Sequence, residues 1–240
     1  MCTFAGVNPN RWTMIQLPKT RYPIGIQTFS EIITGGYVYV DKTDLVWQLA
    51  HTAKYTFLSR PRRFGKSLLT TTLKSYFEGR RDLFEGLKIM PLEQEWKQYP
   101  VIHLDMSFAK NQGNADALRD CLKDSLYSYG ERYGVEIADM NPGRCLRRVI
   151  EKAYNSEKSQ VVVIIDEYDA PLLDVMHERE RLAPMKEVMQ EFYQPLKACE
   201  SMIRFCFLTG ITKFSQLSIF STLNNIMNLS MDPEFATICG

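Results

Sequence analysis

The chain has few of the residues that hold metal ions or disulfide frameworks. It contains three histidines and six cysteines, and the cysteines are scattered without a Cys-x-x-Cys pair. This pattern argues against a structural zinc site and favours reduced thiols in a cytoplasmic protein. No apolar run approaches the ~18 residues that a membrane-spanning helix needs. A basic head followed by an apolar core is also missing from the N-terminus, so we expect no secretory signal.

The chain also lacks an excess of charge of either sign. Lysine and arginine number 29 and aspartate and glutamate 28, which gives a formal net charge of +1. This balance argues against a protein that binds nucleic acid over its whole surface, although local basic patches remain open. Hydrophobic residues make up 45% and charged residues 24%, as in ordinary globular proteins. The length suits one α/β domain with a substantial core.

The most informative segment is a basic loop that ends in Gly-Lys-Ser at 65–67, between an apolar run at 55–58 and a helical pattern at 68–77. In this strand, loop and helix order, backbone N–H groups and the helix dipole hold phosphates, and Lys66 neutralises the terminal ones. The first glycine of the G-x-x-x-x-G-K-[ST] pattern is replaced by Arg60, which must turn the chain without the conformational freedom of glycine. A solvated basic surface loop is the alternative interpretation.

A second segment, 161–167, consists of five β-branched apolar residues followed by Asp166 and Glu167. Such a run predicts a strand buried in a parallel sheet, with its acids at the edge where open α/β sheets bind ligands. Buried acids need a cation, and Mg²⁺ prefers oxygen ligands. We predict that Ser67 and Asp166 hold Mg²⁺ and that Glu167 deprotonates the attacking water. A solvated acidic turn is the alternative.

A third apolar segment, 204–208, ends at Thr209. We predict that Thr209 contacts the γ-phosphate or the attacking water; a threonine that only caps a strand end is the alternative. The three segments follow one another in the order that ATPases with a catalytic glutamate require. We therefore interpret them together as a nucleoside triphosphate site, with Lys66, Glu167 and Thr209 as its catalytic residues.

The alternation of strand and helix patterns predicts an α/β fold of the P-loop NTPase type, with a mainly parallel five-stranded sheet and helices on both faces. An additional strand is expected between the strand before the loop and the acidic strand. We also expect a short strand at 37–40 and another within 225–231. Asp169 is expected to cap a helix whose first turn contains Pro171.

Five blocks, at 23–29, 37–43, 60–67, 166–172 and 208–215, carry a resemblance to the AAA-ATPase-like family. In that family Arg-Pro-Arg-Arg-Phe replaces the glycine-led loop, so the resemblance implies that this loop binds ATP. The residues predicted to bind the nucleotide are Arg60, Pro61, Arg62, Arg63, Phe64, Gly65, Lys66, Ser67 and Leu68. The preference for ATP over GTP is likewise implied by the resemblance.

Members of this family usually continue into a helical lid and a restriction-endonuclease-like nuclease domain. We therefore expect the chain to be a fragment or an early-terminating member of the family. In this interpretation residues 23–240 form the ATPase domain without its lid, and residues 1–22 form a poorly ordered extension.

Three hypotheses follow for the function. The first is Mg²⁺-dependent ATP hydrolysis that drives a conformational change. The second is a nucleotide-dependent switch with little turnover, whose partner is another protein or a second copy of the chain. The third is a nucleic-acid-associated module, for which DNA is a target by analogy with the family alone. A salt-dependent affinity for DNA would support the third hypothesis.

Overall fold

The computed structural model describes residues 21–212 and 226–239, in which helices and strands alternate. The helices are α1 (Phe29–Thr34), α2 (Thr43–Thr52), α3 (Lys66–Phe77), α4 (Ala115–Tyr133), α5 (Pro142–Glu157), α6 (Ala170–Leu173) and α7 (Arg179–Ala198). The strands are β1 (Tyr55–Ser59), β2 (Val101–Asp105), β3 (Val161–Asp166), β4 (Ile203–Gly210) and β5 (Met227–Asn228). Within these ranges, no helix has both the length and the apolarity to cross a membrane.

The five strands form one parallel sheet in the order β2-β3-β4-β1-β5. Strand β4 therefore lies between β1 and β3, which confirms the additional strand predicted from the sequence. Because all strands run the same way, their carboxyl ends meet at one edge of the sheet. At this edge Leu58 of β1 lies opposite Thr209 of β4, and Asp105 of β2 lies opposite Asp166 of β3.

Helices cover both faces of the sheet, as predicted. One hydrophobic cluster contains buried residues of α4, α5 and α7, and a second contains those of α1, α2 and α3. Alternate residues of β4 serve the two clusters: Cys206 and Leu208 belong to the first, and Phe205 and Phe207 to the second. Residues of β3 are buried along its whole length, as the continuous β-branched run predicted.

The strand predicted at 37–40 is wrong. Tyr37 forms an isolated parallel bridge with Arg21, and the residues after it are not assigned to any strand. Val40 is 71% exposed, so its apolar, β-branched side chain has no sheet face to pack on, and β-propensity without such a face does not make a strand. The strand expected within 225–231 is the two-residue β5; position 225 lies outside the described residues.

Candidate functional site

The phosphate-loop candidate connects β1 to α3 at the carboxyl edge of the sheet. The loop bends at two residues with left-handed backbone: Arg63, at φ 69°, and Gly65, at φ 81°, which directly precedes α3. Arg60 does not share this conformation. The loop therefore reaches α3 without the glycine that the general pattern places at position 60.

Lys66 is the first residue of α3, and its side chain folds back over the loop. Its Nζ donates hydrogen bonds to the backbone carbonyls of Arg60 and Pro61, each at 3.0 Å. The residue is only 5% exposed. The ammonium group is thus held against the loop. The free N–H groups at the start of α3, and the positive end of the helix dipole, lie at the same place.

The other side chains of the loop point elsewhere. The guanidinium of Arg60 donates to the carbonyl of Ser230 at 2.7 Å. Arg62 and Arg63 are exposed, as is the ring of Phe64, at 44%. The structure thus separates Arg60, which bonds to protein, from Arg62 and Arg63, which face solvent. From the sequence alone, all three arginines are predicted to bind the nucleotide.

Asp166 ends β3 and meets the first turn of α3. Burial raises the pKa of Asp166 to about 6, while the nearby Ser67 hydroxyl acts to lower it. Asp105 and Glu167 raise it further by charge repulsion. Its Oδ1 also accepts the backbone N–H of Glu167 at 3.0 Å. The carboxyl of Asp166 and the hydroxyl of Ser67 are thus near one another, and oxygen atoms of these kinds suit a hard divalent cation.

Glu167 adopts a left-handed backbone conformation, with φ 50°. Its Oε2 forms an ion pair with Nζ of Lys110 at 2.5 Å, and both side chains are largely buried. Non-glycine residues with positive φ are uncommon and carry strain, which often marks functional positions. Sequence analysis missed Lys110, since it lies in a polar loop after β2 and no spacing pattern links it to the acids.

Thr209 lies at the carboxyl end of β4, between the loop strand and the acidic strand. The residue is fully buried, and its Oγ1 has no hydrogen-bond partner among the described residues. Its backbone carbonyl accepts the N–H of Tyr168 at 2.9 Å. The structure therefore brings Lys66, Ser67, Asp166, Glu167 and Thr209 to one edge of the sheet.

The helix cap predicted for Asp169 is wrong. Asp169 precedes α6, but its side chain does not bond to that helix. Instead Oδ2 accepts three hydrogen bonds: from the backbone N–H groups of Ile211 and Thr212, at 3.0 and 2.7 Å, and from the Thr212 hydroxyl at 2.7 Å. The carboxylate therefore bonds to these three donors and not to the short helix. The bonds hold the chain that follows β4 against residues 166–169, which we call the acidic turn.

Gly210 allows this close approach of the acidic turn to β4. A Cβ atom at Gly210 would lie 2.6 Å from Oδ1 of Asp169 and from the ring of Tyr168. Tyr168 is fully buried, and its hydroxyl lies 3.1 Å from the Thr212 hydroxyl. It packs inside the protein.

An all-parallel α/β sheet with a Gly-Lys-Ser loop after its first strand belongs to the P-loop NTPase class of folds. The chain is a member of the AAA-ATPase-like family, described as predicted AAA-ATPases, whose sequence model matches residues 23–220. The resemblance seen in the sequence is thereby confirmed. Membership in this family indicates nucleotide binding.

A relative in Azotobacter chroococcum mcd 1 is named "Uncharacterized protein in vnfD 5'region". It is 33% identical over 225 residues, which cover 93% of this chain and 43% of the relative. The chain thus spans less than half the length of this relative. No solved structure gave a significant match.

Proposed function

We propose that the chain binds ATP together with Mg²⁺ and hydrolyses it, and that the nucleotide state changes the conformation of the protein. The observation that carries this proposal is that the buried ammonium of Lys66, at the start of α3, and the buried carboxyl of Asp166, at the end of β3, lie at the same edge of the sheet. A loop suited to phosphates and an acid suited to a metal ion thus share the ligand-binding edge.

In the proposed complex, the backbone N–H groups of the loop and of the first turn of α3 hold the phosphates, and Lys66 neutralises them. Arg62 and Arg63 add positive charge at the rim. The Ser67 hydroxyl and the Asp166 carboxylate would hold Mg²⁺, and a bound ion there would supply positive charge beside the phosphates.

In the proposed reaction, a water oxygen attacks the γ-phosphorus and the bond from that phosphorus to the β–γ bridging oxygen breaks, which gives ADP and phosphate. Glu167 takes the proton of the attacking water. The Thr209 hydroxyl, whose hydrogen-bonding capacity is unused by the described residues, orients the water or a γ-phosphate oxygen. Support for these roles comes from the common sheet edge that the five side chains share.

Direct binding of ATP with Mg²⁺ and release of phosphate test the proposal. We expect the wild type to do both, Lys66→Ala to lose binding, and Glu167→Gln to bind without turnover. Lys74→Ala is a matched control, because Lys74 lies on the same helix but pairs with Glu78 at 2.6 Å, away from the loop. If the wild type binds no ATP, or if Lys66→Ala binds as tightly as the wild type, the proposal is wrong.

One observation favours a second candidate, a nucleotide-dependent switch with little turnover. Lys110 holds Glu167 at 2.5 Å, and an ammonium group at this distance competes with water for the carboxylate. If this pair restrains turnover, Lys110→Met will bind ATP normally and release phosphate faster than the wild type. If Glu167 is productively oriented by Lys110, the same variant will release phosphate more slowly.

A further inference from the structure

Arg60 occupies the position of the first glycine in the general phosphate-loop pattern, yet its side chain turns away from the loop. Its Nη1 donates to the backbone carbonyl of Ser230 at 2.7 Å and to that of Ser59 at 3.1 Å. The residue is partly buried, whereas Arg62 and Arg63 of the same loop are exposed. A guanidinium that bonds two carbonyls in a partly buried place forms charge-assisted contacts within the protein.

The backbone of Arg60 is joined to the nucleotide site. Its N–H donates to the carbonyl of Gly210, next to Thr209, at 3.2 Å. Its carbonyl accepts from the ammonium of Lys66 at 3.0 Å. One residue therefore connects the end of β4, the phosphate-loop lysine and the chain around Ser230.

The chain around Ser230, residues 228–232, is fastened to β1 by further contacts. The N–H of Leu229 donates to the carbonyl of Phe57 at 2.8 Å. The N–H of Ser59 donates to the Ser230 hydroxyl at 2.9 Å. We call residues 228–232 the edge segment, because they begin at the edge strand β5 and continue past it.

The chain beyond the edge segment also stays close to the loop. Burial raises the pKa of the Cys239 thiol to about 11, while the charges of Arg60, Lys42 and Lys66 oppose the rise. Leu229 and Cys239 belong to the same hydrophobic cluster as Leu58 and Leu69, which lie on either side of the loop.

We propose that Arg60 is a positioning residue that ties the phosphate loop to the edge segment, so that binding of a nucleoside triphosphate at the loop increases the order of residues 228–232. The inference rests on the proposed function for its ligand. Phosphate oxygens bound to the backbone N–H groups of the loop fix its backbone, and residue 60 belongs to that loop. A loop fixed by phosphates restrains Arg60, and Arg60 passes that restraint to Ser230.

Hydrogen exchange of the backbone amides in the edge segment tests the proposed link between Arg60 and this segment. The exchange rates are measured on the purified chain with and without Mg²⁺ and ATP. Arg60→Gly restores the general loop pattern and removes the guanidinium. Without nucleotide, we expect it to speed exchange at 228–232 by about 10- to 100-fold, the effect of losing a charge-assisted hydrogen bond. Arg62→Gly is the matched control, since it removes the same charge from the same loop without touching Ser230, and it should leave this exchange unchanged.

A second variant covers the case in which Arg60→Gly fails to fold. Ser230→Ala removes the acceptor of the Ser59 N–H and should speed exchange at 228–232 by a smaller factor. In the wild type, saturating Mg²⁺ and ATP should slow exchange in the edge segment. In Arg60→Gly this effect should disappear, even at nucleotide concentrations that direct binding shows to be saturating for that variant.

The proposal is overturned if Arg60→Gly folds and leaves exchange at 228–232 unchanged, or if Arg62→Gly speeds it equally. It is also overturned if a wild type that binds ATP shows no slowing in the edge segment. A wild type that binds no ATP would refute the proposed function together with the coupling. The exchange rates of Arg60→Gly and the wild type without nucleotide do not depend on ATP. They therefore test the link between Arg60 and the edge segment separately from the proposed ATP binding.

Discussion

At the scale of one residue, the buried carboxyl of Asp166 lowers the stability of the protein when it is ionised. The residue is 2% exposed, and burial raises the pKa of its carboxyl to about 6. An acid whose pKa is higher in the folded than in the unfolded state binds more protons when folded. Its contribution to stability therefore falls as pH rises from the unfolded value of 3.8 through 6. At neutral pH the ionised carboxylate destabilises the nucleotide-free protein.

We predict that Asp166→Asn stabilises the nucleotide-free chain at pH 7.5, since the amide keeps the shape of the side chain and avoids a buried charge. The gain is up to about 3 kcal/mol, because each pKa unit corresponds to 1.36 kcal/mol. Near pH 4 the advantage should vanish, because the wild-type acid is then protonated in the folded state. Urea unfolding at several pH values measures both results.

Asp120→Asn serves as the control for this pH series, because the Asp120 side chain is 75% exposed. Its free energy of unfolding should stay within about 0.5 kcal/mol of the wild type. An Asp166→Asn variant that is less stable than the wild type at pH 7.5 would show that the carboxylate gains more from its hydrogen bonds than it loses by burial.

At the scale of elements, the acidic turn after β3 and the chain after β4 are held together by Asp169. Its carboxylate accepts two backbone N–H groups and one hydroxyl from residues 211 and 212. Tyr168 adds a backbone bond to Thr209. Glu167 and Thr209 come from different strands, so this junction fixes their separation.

We predict that Asp169→Ala lowers the free energy of unfolding by about 2–4 kcal/mol, because it leaves partly buried N–H groups without an acceptor. Thr212→Val, which removes only the hydroxyl donor, should cost about 1 kcal/mol. Urea unfolding monitored by circular dichroism compares the two. Equal costs would mean that the backbone N–H groups find other acceptors, and that the carboxylate is not what joins the two strand ends.

At the scale of the whole molecule, the fold and the position of five residues at one sheet edge can be predicted from the sequence because their signals are local. The β-branched run of β3 marks a buried strand, and Gly-Lys-Ser marks a helix start at a loop. The partners found only in the structure are remote: Lys110 is 57 residues from Glu167, and Ser230 is 170 residues from Arg60. Single lysines and serines in polar segments carry no pattern from which such contacts can be predicted.

Local signals also explain the two errors. Tyr-Val-Tyr-Val at 37–40 has high β-propensity, but pairing depends on a neighbouring strand that the segment itself does not encode. Asp169 precedes a helix and so matches the pattern of a cap. Its carboxylate instead accepts hydrogen bonds from the backbone N–H groups of residues 211 and 212. In both cases the tertiary surroundings override a valid local preference.

The last prediction concerns the molecule as a single cooperative unit. A ligand that binds only the folded state at 100 times its Kd adds about 2.7 kcal/mol to the free energy of unfolding. For a chain of this size, that corresponds to a rise in Tm of roughly 5–10 °C. We therefore expect Mg²⁺ and ATP together to raise Tm by this amount in a thermal scan. The rise should be lost in Lys66→Ala and strongly reduced when EDTA removes Mg²⁺. An equal rise in Lys66→Ala would place the bound nucleotide away from the phosphate loop, because phosphates held in the loop are expected to need the Lys66 ammonium.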